Sequence, residues 1–281
     1  MIVDTHTHFG DPENPRPLLF RTELPEAYKA VAIPEGITNT IVTESIADIE
    51  DNQWNLNLAD SDPFVVGVIG FLDPILSRFG ADLDRFVSDK RFCGIRLHHN
   101  CCHQYHNGFQ QSLDNIPDVL LINLSRLVQK NCSLDVHGGC EDFTYYEELN
   151  RHVDGLRMVI NHIGECRPLN GKSPNEAWTV SMKRIARRPN IYCKVSAMVQ
   201  MTEMSPAPSN LEIYRPALDV LWNAFGASRL IYASNWPQIE RVSDFHTSHS
   251  IVARYFGEKG SKAEEQFFCG NAAEVYNLNI N

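Results

Sequence analysis

The run "RLIYASNWP" (229–237) is the eighth strand-like run of the chain, and the count of eight decides the fold. Stretches with helical spacing, such as 181–189 and 210–226, lie between most of these runs. We therefore predict a (β/α)8 TIM barrel, one α/β domain over residues 1–281. The other seven runs are short and rich in β-branched residues, as is typical of strands buried on both faces of a parallel sheet: "MIVDTHTH" (1–8), "TNTIVTES" (38–45), "PFVVGVIGFLD" (63–73), "FCGIRLHH" (92–99), "SLDVHGG" (133–139), "LRMVINHIG" (156–164) and "NIYCKVSAM" (190–198).

A doubly wound sheet is the alternative fold for this pattern. The 281 residues suit one barrel, which typically takes about 250 residues, but could also form two small domains. No GxGxxG motif follows the first run, as it would in a dinucleotide-binding doubly wound sheet. No segment has the composition of an interdomain linker. The Pro- and Ser-rich loop 200–210 is expected at the C-terminal rim of the barrel, as a mobile loop or as a lid over a substrate.

The charge of the chain excludes two classes of partner. Its net charge is −10 with a pI of about 5.5, and it has no dense block of Lys and Arg. Nucleic acids and anionic membranes are bound by concentrated positive charge, so neither is expected here. No apolar run approaches the roughly 20 residues that span a bilayer, and the first residues do not resemble a signal peptide. The eight cysteines include no CxxC pair, which indicates free thiols in a reducing cytoplasm.

Four histidines at the ends of three strand-like runs are candidate metal ligands. His6 and His8 lie two residues apart in the first run, so both side chains point to the same face. His137 ends the fifth run and His162 the sixth. Any one of them could be a hydrogen-bonded structural histidine. Because barrel enzymes assemble their sites at the C-terminal strand ends, the four together predict a shared site. Zinc is bound by imidazole nitrogen, and three or four such ligands suffice.

Other strand ends carry candidate substrate-binding or catalytic groups. Arg96 and His98 share one face of the fourth run, and Arg96 either binds a substrate carbonyl or carboxylate or forms an ion pair across strand ends. Lys194 in the seventh run is either an electrostatic stabiliser or the partner of a barrel carboxylate. Glu44 and Asp73, at the ends of the second and third runs, are candidate carboxylates of the site, although Asp73 could simply open a turn.

In this order and spacing the motifs resemble the amidohydrolase superfamily, and within it the amidohydrolase-2 branch that contains sugar-lactone and pyrone-dicarboxylate lactonases. The similarity covers the full length. It rests on "VDTHTHF" at the start, on 50–74, on "GIRLHH", "LDVHGG", "VINHIGE" and "CKVSAM", on "FGASRLIYASNWP", and on "FFCGNAAEVYNL" at the end.

The resemblance implies roles for these residues. His6, His8, His137 and His162 match the metal-site histidines of the superfamily. Strand 4 offers Arg96 and His98 in place of the lysine that, once carboxylated, bridges two metals in other branches. In the lactonase branch the metal is often dispensable. The resemblance thus implies a mononuclear zinc site or a site without a metal.

Asn235 departs from the family pattern. It stands where the superfamily has the strand-8 aspartate that orients and deprotonates the attacking water. An amide is not basic near neutral pH and cannot be the general base. A histidine, His162 or His98, could accept the proton instead, or Glu44 or Asp73 could reach in from a neighbouring strand end. A reactive lactone would also need less activation than an amide.

These observations lead to three hypotheses of function. The first is a hydrolase of the ester bond of a small anionic or sugar-derived lactone, in which water attacks a carbonyl polarised by zinc or by the histidine–arginine cluster. The second is a zinc-dependent decarboxylase of a small carboxylic acid. The third, which Asn235 supports best, is a non-catalytic barrel that binds a small ligand. A homo-oligomer is possible.

Overall fold

Eight parallel strands form one sheet in sequential order. The structure is a computed structural model and describes residues 1–15, 19–98 and 116–280. For His98 only the backbone is described. The strands are β1 (Val3–Thr7), β2 (Asn39–Thr43), β3 (Val65–Gly70), β4 (Phe92–His98), β5 (Ser133–His137), β6 (Met158–Ile160), β7 (Ile191–Val195) and β8 (Leu230–Tyr232).

The last and first strands close the sheet into a barrel. Beyond the end of β8, the Asn235 amide donates to the carbonyl of His6 at 2.9 Å, and the His8 amide donates to the carbonyl of Trp236 at 2.9 Å. This confirms the predicted (β/α)8 barrel, and the doubly wound alternative is wrong. All eight predicted strands are present but shorter, because several run ends belong to the loops that carry the polar side chains; the run 156–164 is strand only over Met158–Ile160.

Helices connect the strands around the outside of the barrel. The predicted helix at 210–226 divides at Tyr214 into a 3₁₀ turn, Leu211–Ile213, and a helix that begins at Arg215 with proline in its first turn, a favoured place for proline. The α-helices are α1 (Pro25–Ala32), α2 (Ile49–Ser61), α3 (Phe79–Phe86), α4 (Asp118–Gln129), α5 (Phe143–His152), α6 (Glu176–Ile185), α7 (Arg215–Phe225), α8 (Phe245–Gly257), α9 (Ser261–Glu265) and α10 (Asn271–Val275). In the described part of the chain, no helix is long and apolar enough to cross a membrane.

Two apolar layers leave one end of the barrel for polar groups. The larger layer packs the strands against the surrounding helices. The smaller fills the barrel interior at its N-terminal end, where Val3, Ile41 and Ile231 meet Tyr276 from the C-terminal segment. The polar residues that follow the strands therefore lie at the opposite, C-terminal end, where barrel enzymes build their sites.

A β-bulge in β1 separates Asp4 from the histidines that follow it. Three residue steps from Asp4 to Thr7 match only two steps in β2, from Thr40 to Val42. A bulge inserts one residue and re-aims the side chains beyond it. Asp4 is fully buried and accepts from the hydroxyl of Tyr28, on α1, at 2.7 Å.

Removing the Tyr28 hydroxyl is expected to weaken the fold. In Tyr28→Phe the buried Asp4 carboxylate loses a donor, which should lower the free energy of unfolding by about 1–3 kcal/mol. The matched control is Tyr145→Phe, because the buried Tyr145 hydroxyl has no hydrogen-bond partner among the described residues. Urea denaturation of both variants measures the difference, and an equal loss in the two would contradict this role for the Tyr28 hydroxyl.

Candidate active site

The four candidate histidines converge at the C-terminal end of the barrel. His137 is the last residue of β5, whereas His8 follows β1 and His162 follows β6. Ring centroids lie 4.9 Å apart for His6 and His8, and 4.6 Å apart for His6 and His162. The ring of His137 is 5.2 Å from that of His162. We call these four residues the histidine cluster; their role as ligands stays a prediction.

Burial makes most of this cluster neutral. Burial first, and then the charge of Arg96, lowers the pKa of His8 to about 3. Burial also holds the pKa of His6 and of His162 well below the usual histidine value, and the Lys194 ammonium is the second cause for His6. These three imidazoles therefore carry no charge near neutral pH.

Arg96 brings a fixed positive charge to the cluster. Its guanidinium donates from Nε to Glu44 Oε1 at 2.7 Å and from Nη2 to the Glu44 carbonyl at 2.5 Å. Nη1 lies 3.2 Å from His6 Nε2. The Arg96 side chain is 6% exposed and Glu44 3%, and both line the cavity of the site. Arg96 therefore forms the ion pair across strand ends and also lines the cavity, while its role in binding a substrate stays a prediction.

Lys194 lies beneath the cluster and not in the cavity wall. Its ammonium donates to Asp135 Oδ2 at 2.7 Å, and both side chains are 0% exposed. The ion-pair interpretation of Lys194 is therefore the one that the geometry supports. Ser196, which shares its strand face, reaches the cluster instead, with its Oγ 2.9 Å from His162 Nδ1.

Asn235 is held in place by a second amide. Its backbone is left-handed, with φ 70°, a conformation that asparagine tolerates. Asn235 Nδ2 donates to Gln200 Oε1 at 2.9 Å. Gln200 belongs to the loop 200–210 that the sequence places at the rim, so this loop does contact the site.

The other sequence candidates divide between the site and its surroundings. Glu44 lines the cavity, but Asp73 does not and instead accepts from the Ile75 amide at 3.0 Å, which fits the turn-opening alternative. His98 is the last residue of β4, but its side chain lies outside the described residues, and so does the whole of His99.

Glu165 is a cavity residue that the sequence reasoning missed. It lies in the loop after β6, where Glu165 Oε1 is 3.3 Å from His137 Nε2 and Oε2 is 3.2 Å from Arg167 Nε. Burial raises the pKa of Glu165, but His137 and Arg167 more than offset this, so the pKa lies below its usual value. The run "VINHIGE" contains Glu165, but only the backbone of this loop reveals that it faces the cavity.

A cavity of about 690 Å³ adjoins the cluster. Three residues of the histidine cluster and Arg96 line it. Its described walls also carry carboxylates, amides and two further arginines, and no Phe, Tyr or Trp. This volume falls within the range of about 300–1,000 Å³ that is usual for small-molecule sites.

The donor atoms suit a metal ion only in part. The Nε2 atoms of His6 and His8 are 3.2 Å apart, close to the roughly 3.3 Å between two ligands of a tetrahedral zinc ion. However, no three His, Cys, Asp or Glu side chains among the described residues are grouped so as to hold a metal ion. His137 Nε2 contacts Glu165, and the Arg96 guanidinium lies beside His6. The described residues alone do not make a complete metal site.

A barrel with histidines at these strand ends agrees with a family match over nearly the whole chain. The amidohydrolase model named Amidohydro_2 matches residues 3–278. The chain belongs to the amidohydrolase family. It is therefore an enzyme of the amidohydrolase type, which disfavours the non-catalytic barrel.

Individual proteins resemble the chain over nearly its full length. An L-fucono-1,5-lactonase from Burkholderia ambifaria is 27% identical over 98% of this chain and 95% of its own. A zinc-bound amidohydrolase from Burkholderia multivorans superimposes with a TM-score of 0.84 at 20% identity, over 99% of both chains. A 5-carboxyvanillate decarboxylase from Sphingomonas paucimobilis shares the fold, with a TM-score of 0.66 at 11% identity over 99% of both chains. The chain is thus a lactonase-like amidohydrolase.

Proposed function

We propose that this amidohydrolase hydrolyses a small, uncharged, sugar-derived lactone, which is the cyclic ester of a polyhydroxylated acid. The observation that carries the proposal is the fixed Arg96 guanidinium among neutral imidazoles, at a cavity whose described wall includes carboxylates and amides. The resemblance to an L-fucono-1,5-lactonase supports the same substrate class.

The cavity walls favour a polyhydroxylated substrate over an aromatic or strongly anionic one. An aromatic ring is usually bound by aromatic side chains, and the described lining has none apart from histidines. Its carboxylates and amides are suited to bind hydroxyl groups. The charged residues of this described lining give no excess of positive charge for a dianion: Arg96, Arg167, Arg241, Glu44, Glu141, Asp142 and Glu165.

Arg96 is the group that polarises the lactone carbonyl. A guanidinium has five N–H donors, and the described contacts with Glu44 and His6 use three of them. Two donors therefore remain for the carbonyl oxygen. Water adds to the carbonyl carbon, the negative charge grows on that oxygen, and Arg96 stabilises it without having to reorganise. The acyl–oxygen bond of the ring then breaks, the ring oxygen gains the proton that the water lost, and a hydroxy acid is released.

The proposal predicts lactone turnover that survives removal of metal. Purified enzyme should release acid from aldono-1,5-lactones and aldono-1,4-lactones, measured with a pH indicator, and should not release CO2 from aromatic carboxylic acids. Because the donor set is incomplete and Arg96 supplies the positive charge, dialysis against a chelator should leave most of the rate, with metal content checked by elemental analysis. CO2 release without lactone opening would overturn the proposal. Loss of turnover on chelation, restored by zinc, would overturn the role of Arg96 as the main polarising group.

A further inference from the structure

We propose that Glu165 is a catalytic residue of this site, whose carboxylate holds the attacking water in the place of the carboxylate that residue 235 lacks. The inference rests on the proposed function and names a residue for its hydrolytic step. It is carried by the position of Glu165, by an unusual backbone that creates this position, and by the contacts of the other carboxylates in the cavity.

Glu165 combines access to the cavity with contact to the histidine cluster. Its side chain is 27% exposed and lines the cavity. Its contacts with His137 and with Arg167, at 3.3 and 3.2 Å, fix the carboxylate from two sides. A carboxylate has two oxygens with about four acceptor positions, so these contacts leave room to accept a hydrogen bond from water.

A left-handed turn places Glu165 and His162 at the cavity together. Four consecutive residues have positive φ: His162 at 51°, Ile163 at 50°, Gly164 at 63° and Glu165 at 55°. Left-handed backbone costs an L-residue about 1–2 kcal/mol, and for a β-branched residue such as Ile163 it is a genuine outlier. Strain of this kind persists where the surroundings enforce it and concentrates at functional sites.

The surroundings do enforce this turn. The indole of Trp178, on α6, donates to the Ile163 carbonyl at 2.8 Å. The Glu165 amide donates to the His162 carbonyl at 3.0 Å. A side chain at Gly164 would meet the ring of Phe143 at 2.3 Å, so only glycine fits there. The fold thus stabilises a strained turn, and this turn places the Glu165 carboxylate at the cavity wall.

The other carboxylates of the described cavity wall are committed elsewhere or lie at the rim. Glu44 is paired with Arg96 at 2.7 Å. Asp142 is buried and accepts from the Gly139 amide at 3.0 Å. Glu141 is exposed. Glu165 is the carboxylate in this wall that both contacts a cluster histidine and is open to the cavity.

The test combines Glu165→Gln with Asn235→Asp and follows hydrolysis of an aldono-1,5-lactone. Glu165→Gln, which keeps the shape and removes the carboxylate, should lower kcat about 10²-fold with little change in KM. In the Asn235→Asp background, where a carboxylate returns after β8, the same substitution should cost less than about tenfold, because both positions then serve one function. Glu165→Asp should retain part of the activity. Glu148→Gln is the matched control, because Glu148 lies on α5 outside the described cavity wall and accepts from Arg151 at 2.8 Å, and it should behave as wild type.

Each outcome separates this inference from the proposed function. Wild-type kcat in Glu165→Gln, or an equal loss in both backgrounds, would overturn the role of Glu165 and leave the lactonase proposal standing. No lactone turnover by the wild-type enzyme would overturn both. Thermal unfolding of every variant shows whether a loss of kcat comes from loss of fold, and Glu165→Asp provides the catalytic comparison if Glu165→Gln is unstable.

Discussion

Lys194→Met is expected to lower the free energy of unfolding by about 3–5 kcal/mol, the usual cost of removing one partner of a buried ion pair. Lys194 and Asp135 are both fully buried, 2.7 Å apart, in the barrel interior. Without the ammonium, the donors that the Asp135 carboxylate keeps among the described residues are neutral: the Asn161 amide at 2.9 Å and the Tyr276 hydroxyl at 3.1 Å. Urea denaturation monitored by circular dichroism measures the loss.

Two further variants show whether the loss comes from the unpaired charge. Lys194→Met combined with Asp135→Asn removes both charges and keeps an acceptor for Tyr276, so it should be clearly more stable than Lys194→Met alone. Lys29→Met is the control, because Lys29 forms an ion pair of similar length, 2.6 Å to Asp62, in a partly exposed place. Its loss should stay within about 1 kcal/mol. A double variant no more stable than Lys194→Met would contradict the charge-based account.

Lys194 also shows where sequence reasoning about the site stops. Lys194, in β7, and Ser196, directly after β7, are two residues apart, so strand parity places both on one face. Parity does not give the depth of a side chain along the barrel axis. The two residues differ in depth, because Lys194 forms a buried ion pair with Asp135, whereas the Ser196 hydroxyl contacts His162. The charge of Lys194 still affects the site, since it is the second cause, after burial, that lowers the pKa of His6.

The barrel itself could be predicted because its signal is repeated. Eight apolar runs, each followed by polar residues, place the strands and the end at which the histidines meet. Local irregularities carry no such signal. Asp4 has the same parity as His6 and His8, yet the bulge in β1 turns Asp4 toward Tyr28.

The loop after β6 is the second irregularity that the sequence conceals. Glycine at 164 is typical of a turn, but nothing in "HIGE" indicates that Ile163 and Glu165 adopt left-handed backbone as well. That conformation depends on contacts with distant residues, such as Trp178 on α6. Reasoning from strand ends therefore found the histidines and Arg96 but not Glu165.

Arg96→Met is expected to lower kcat for lactone hydrolysis by about 10²–10³-fold, the usual cost of removing one donor to a developing oxyanion. The neighbouring imidazoles are neutral because burial lowers their pKa, so they cannot replace the lost charge. Arg96→Lys should also be impaired. A lysine lacks the planar fork that contacts the Glu44 carboxylate and carbonyl while leaving donors for the substrate.

Stability has to be separated from chemistry in this variant, because Arg96→Met also removes the guanidinium that pairs with the buried Glu44 carboxylate. Adding Glu44→Gln removes that charge, so the double variant should regain stability in a thermal melt while kcat stays low. Arg241→Met is the matched control, since Arg241 also lines the cavity but donates to Gln238 at 3.2 Å, and it should change KM more than kcat. If the double variant recovered both stability and kcat, Arg96 would be a structural counter-ion of Glu44, and the polarising charge would have to come from another group.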